Sequence, residues 1–73
     1  MSTIFDPKRP PSKDAPYARR FAWELIKENR SEEIFDVWLE EDEISEIMQE
    51  MQAFGCGVRV VKAGVLRVVA PPK

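Results

Sequence analysis

All six prolines of this 73-residue chain stand near its ends, Pro7, Pro10, Pro11 and Pro16 on one side and Pro71 and Pro72 on the other. Proline fixes φ and lacks the backbone N–H that a helix interior or a sheet ladder needs, so regular structure is confined to residues 14–70, with Pro16 tolerated in a first helical turn. A stretch of that length holds one small core and therefore one domain. Residues 1–13, where Lys8, Arg9 and Lys13 lie among three prolines, read as a flexible basic tail. Its two large apolar residues, Ile4 and Phe5, suit either folding back onto the core, the expected outcome, or anchoring a partner. Residues 71–73 read as a short C-terminal tail.

Within this interval the spacing predicts three helices followed by a hairpin. The first, over 14–30, is capped by Asp14. Tyr17, Ala18, Phe21, Ala22, Leu25 and Ile26 form its inward stripe, and Trp23 falls on the opposite half between Arg19 and Lys27, where it is either at least partly exposed or stacked on a Lys27 or Arg19 stem or covered by the N-terminal tail. The second, over 31–40, is capped by Ser31 and carries Ile34, Phe35, Val37, Trp38 and Leu39. The third, over 43–54 with Asp42 as its cap, places Ile44, Ile47, Met48, Met51 and Phe54 on one face and ends at Gly55 in a left-handed C-cap. A valine-rich hairpin over 57–70 completes an α+β fold. A three-residue loop of 62–64, with Gly64 left-handed, pairs Val61 with Val65, Arg59 with Arg67 and Val58 with Val68, because this register gathers Val58, Val60, Leu66 and Val68 on one face. The expected core is Phe21, Leu25, Ile34, Phe35, Trp38, Ile44, Ile47, Met48, Met51, Phe54, Val58, Val60, Leu66 and Val68.

Counting removes most chemistry. With no histidine and a single cysteine, Cys56, the chain has no ordinary zinc site, histidine-based triad or internal disulfide. None of its three glycines, Gly55, Gly57 and Gly64, opens a helix as a phosphate loop would. The acids at 40–43 lack calcium-loop spacing and suit a helix start. Cys56 is expected to be buried rather than nucleophilic, and Met48 and Met51 to pack the core. The expectation is a non-enzymatic, cytoplasmic protein with no cofactor, no metal, no small-molecule substrate and no membrane partner.

Net charge is −2, but residues 1–30 sum to +3, residues 31–55 carry nine acids and no base, and residues 56–73 sum to +4. Such segregation either closes on itself, the basic ends folding against the acidic middle, or marks a docking surface. Three helices and a hairpin are also the element order of winged helix-turn-helix proteins. The expected third helix, however, carries Asp42, Glu43, Glu46 and Glu50 and no base, the wrong sign for a groove-reading helix. Two basic surfaces are the candidates for binding a protein partner: the ridge of Arg19, Arg20, Trp23, Lys27 and Arg30, and the strand pair Arg59 and Arg67. Arg59 stands opposite Arg67 across the ladder, so an anion or carboxylate must answer the two cations. The alternatives are direct nucleic-acid binding through the tail and strand face, and mimicry of DNA by the acidic middle.

A histidine-free 73-residue chain with segregated charge and no catalytic motif resembles the small host-takeover proteins of lytic bacteriophages, in particular short regulators that bind bacterial RNA polymerase. The resemblance is one of length and character and carries over no individual residue. It implies a regulator that inhibits initiation at host promoters and acts as an antiterminator in the host cytoplasm.

Overall fold

The computed structural model describes residues 5–29 and 31–70. Its element order is α1 (Tyr17–Glu28), β1 (Ile34–Trp38), α2 (Glu41–Ala53), β2 (Gly57–Lys62) and β3 (Val65–Val69). The fold is thus an α+β domain of two helices and one three-stranded antiparallel sheet, not three helices and a hairpin. The segment expected to be the second helix is a strand. Ile34, Phe35, Val37 and Trp38 are all β-branched or aromatic, side chains that fit a pleated surface better than a helix. They alternate, with Phe35 and Val37 buried and Ile34, Asp36 and Trp38 exposed, so Ser31 caps no helix.

The sheet order is β1-β3-β2. β3 is antiparallel to both neighbours, so β1 and β2 run parallel, with α2 as the crossover between them and β3 inserted in the gap, a split β-α-β arrangement. Two bonds continue the β1–β3 ladder past its ends: Ala70 N–H to the Glu33 carbonyl and Leu39 N–H to the Gly64 carbonyl, both 2.8 Å. The hairpin keeps the expected pairs Val58 with Val68 and Arg59 with Arg67. Val61 does not pair with Val65, however. A bulge between Val60 and Lys62 brings Lys62 into the ladder opposite Val65, and Gly64 turns the chain at φ +77°, a conformation that suits glycine.

Both helices start later or earlier than their acidic caps would place them. Pro16, not Asp14, is the cap of α1 (φ −55°, ψ 146°), and its carbonyl accepts the Arg19 and Arg20 N–H groups at 3.0 and 3.2 Å. Glu40 caps α2, so Asp42 lies with Glu41 and Glu43 in the first turn, where carboxylates oppose the positive end of the helix dipole. The far end closes as expected at Gly55, φ +96°. Gly55 N–H donates to the Gln52 carbonyl and Cys56 N–H to the Met51 carbonyl, each at 3.0 Å, the paired bonds of a Schellman motif.

The core joins Ala18, Ala22, Trp23 and Ile26 of α1, Ile47 and Met51 of α2, and Phe35, Val37, Leu66 and Val68 of the sheet, with Phe5 and Cys56. Of the residues expected inside, Ile34, Trp38 and Val60 are exposed. Ile34 and Trp38 take the outer parity of β1, and Val60 lies on the outer strand β2. Phe5 folds back: its N–H donates to the Phe54 carbonyl at 3.2 Å and its ring packs against Trp23 and Phe54 at 5.9 and 6.0 Å. Ile4 lies outside the described residues.

Candidate functional site

The basic ridge on α1 does not exist as an exposed aromatic hot spot. Trp23 is only 4% exposed, roofed by Phe5 on one side, and its indole N–H donates to the Asp6 carbonyl at 3.0 Å. Lys27 Nζ lies 5.1 Å from its ring centroid. Arg19 is engaged by Glu50 of α2, Nε to Oε2 at 3.1 Å. Arg20 is exposed, and Arg30 lies outside the described residues. Trp23 is thus the residue under the N-terminal segment and against Lys27 rather than the exposed one: a helical wheel alone allows for one covering layer, whereas α1 is covered by α2 and again by the N-terminal segment.

The strand pair is where a surface forms. Cross-strand register lays out the solvent face of the sheet as three rows: Ile34, Val69 and Gly57; Asp36, Arg67 and Arg59; Trp38, Val65 and Lys62. The middle row contains the answer to the like-charge problem. Asp36 accepts from Arg67 Nε at 2.9 Å and from Nη2 at 3.2 Å, a two-point contact that suits the planar guanidinium. This hydrogen-bonded pairing, reinforced by the charge of Arg67 and of Lys62, holds the Asp36 carboxyl below its ordinary value and raises Arg67. In the third row Lys62 Nζ sits 5.0 Å from the Trp38 ring centroid, and Val65, between the two in the register, is buried.

The rest of this face is open. Trp38 is 73% exposed and Ile34 56%, with Val69 also uncovered. Gly57 puts no side chain beside Val69, which leaves an apolar corner next to the charged row. Trp38, missed as a surface residue because it was read on a helix, is the largest exposed aromatic of the fold. The signal that could have found it was parity: Asp36 shares a strand face with Ile34 and Trp38, and a charged residue in a two-layer fold points outward.

Elsewhere the chemistry is quiet. Burial pushes the Cys56 thiol up to about 11, so it is held as the un-ionised, weakly nucleophilic form. Among the described residues no group of three or more histidine, cysteine, aspartate or glutamate side chains is placed to hold a metal ion, and no helix is long and apolar enough to cross a membrane. A shallow pocket of about 410 Å³ lies where Phe21, Trp38 and Leu39 meet Glu40, Glu41 and Glu43; its carboxylates belong to the start of α2.

In comparisons with known proteins, the chain matches no family model, no curated protein and no solved structure.

Proposed function

We propose that this chain is a small protein-binding regulator that works without catalysis, with bacterial RNA polymerase as its partner, inhibiting initiation at host promoters and promoting antitermination in the cytoplasm of a phage-infected cell. The observation that supports a binding role is the open face of the sheet, where an exposed tryptophan and an apolar corner flank an arginine row. Tryptophan and arginine are the residue types most enriched at the energetic centres of interfaces. The polymerase enters from the resemblance in length, charge segregation and absence of catalytic motif.

The test is direct binding of the purified chain to nuclease-treated bacterial RNA polymerase. Binding should survive nuclease and weaken about 30-fold or more in Trp38→Ala, the loss expected when a central aromatic is truncated. Wild-type protein that fails to bind, or binds only when DNA is present, would overturn the proposal.

A second reading, single-stranded nucleic acid, draws on Trp38 sharing the open sheet face with Lys62, Arg59 and Arg67, since bases stack on aromatics beside cations. It ranks lower because Asp36 neutralises Arg67, Lys62 already occupies a face of the Trp38 ring, and the acidic start of α2 adjoins it.

A further inference from the structure

We propose that β2 is a docking edge, to which a protein partner adds an extended segment of alternating acidic and apolar residues, with a carboxylate placed on Arg59 as Asp36 is placed on Arg67. This deepens the protein-binding reading and rests on it. β2 is an outer strand of the sheet, and all of its residues are exposed except the half-buried Val58. An outer strand leaves a row of backbone N–H and C=O groups free to pair with another chain.

Charge specifies the occupant. Arg59 faces Arg67 across the ladder, and the Arg67 guanidinium is committed to Asp36. Among the described residues no carboxylate lies within 4.0 Å of Arg59. The middle row therefore reads acid, base, base, and a fourth strand carrying an acid would complete it. The sheet already holds the template for this contact: β1 sets Phe35-Asp36-Val37 against Val68-Arg67-Leu66, and β2 repeats the receiving pattern as Val58-Arg59-Val60. On the helix-facing side Val60 is 46% exposed, so the added strand would also cover an apolar side chain there.

Size points the same way. Three strands of five or six residues span roughly 14 by 17–20 Å, a few hundred Å² against the roughly 800 Å² per partner of a standard interface. A fourth strand extends that footprint and adds main-chain hydrogen bonds. A second copy of this chain does not fit. Pairing β2 with itself sets Arg59 and Lys62 against the same cations, and β1 of a second copy brings only an Asp36 already held by Arg67. A nucleic acid would leave the strand's amides unpaired and Val60 uncovered.

The test is ¹H–¹⁵N NMR of the full chain titrated with two end-capped eight-residue peptides, one alternating valine with glutamate and the other valine with lysine, and with an oligothymidine. The glutamate peptide should shift the amides from Gly57 to Lys62. Arg59→Glu should weaken it about 10-fold or more and transfer preference to the lysine peptide, while Lys13→Glu leaves binding unchanged. The neutral Arg59→Gln, which adds no new charge to the sheet, carries the same test if the glutamate disturbs the fold. Absence of binding, equal binding by Arg59→Gln, shifts centred on α1 or β1, tighter binding of the oligothymidine at β2, or self-association through β2 would each overturn the proposal. Unchanged polymerase binding by Arg59→Glu would overturn the docking edge and leave the polymerase reading standing, whereas peptide capture at β2 without polymerase binding supports the edge and removes the polymerase.

Discussion

The two tryptophans carry opposite burdens, and their environments say what each substitution should do. Trp23 is packed against Phe5, donates its N–H to Asp6 and lies under Lys27, so truncation removes packing and strands a carbonyl. Trp23→Ala should cost about 3–5 kcal/mol, a large share of the roughly 4–11 kcal/mol that a chain of this length commands. Trp38 stands largely in solvent, and Trp38→Ala should change stability by no more than about 1 kcal/mol, the scale of its cross-strand pair with Val65 and its contact with Lys62, while weakening partner binding. Urea unfolding of the two variants decides it: a Trp23 variant as stable as the parent would mean that Phe5 and Asp6 do not roof the indole. The helical pattern assigned these roles the other way round. For Trp38 the error was of period, helix for strand, and for Trp23 it was a covering layer that no periodicity within α1 can reveal.

Among elements, legibility followed how local the determining physics was. The C-terminal end of α2 was readable because Gly55 alone can take the left-handed turn the motif needs, and the Arg59–Arg67 register because only one hairpin pairing keeps apolar residues together. β1 was not readable in this way. Asp36 is the single polar residue in its apolar run, so one position alone carries the alternation, and the segment becomes a strand by pairing with β3, far along the chain. Asp36 is the contact that ties those strands on the open face. Because hydrogen bonding to Arg67 depresses its pKa from 3.8, the ionised form is favoured by the fold. The pairing's contribution to stability is therefore complete above the ordinary value and is lost as pH falls through the lower folded one. Carboxyl-detected NMR should give Asp36 a midpoint below 3.8 that rises towards it in Arg67→Ala. An unmoved midpoint would mean that the side chains do not meet in solution.

For the whole molecule, the segregated charge is partly an internal device. Among the described residues, two ion pairs between distant segments each tie the acidic middle to one basic flank, Arg19 to Glu50 and Arg67 to Asp36. The acids at the start of α2 and Arg59 on β2 are among the described charges that no ion pair answers. The basic N-terminal segment is tied by packing instead, since Phe5 joins the core between Trp23 and Phe54. A domain this small buries too little to spare such a contact, so the segment acts as a third layer over α1. Phe5→Ala should cost about 2 kcal/mol, below the usual aromatic truncation because a terminal segment can detach without unfolding the rest, and should lower the melting temperature by about 10 °C. In a Trp38→Phe background Trp23 is the sole fluorophore of its type, so detachment should move its emission to the red and raise its quenching by acrylamide, while far-ultraviolet circular dichroism stays near that of the parent. Unchanged emission and quenching would show that Trp23 is shielded by α1 and its neighbours alone, and the third layer would then contribute nothing to the core.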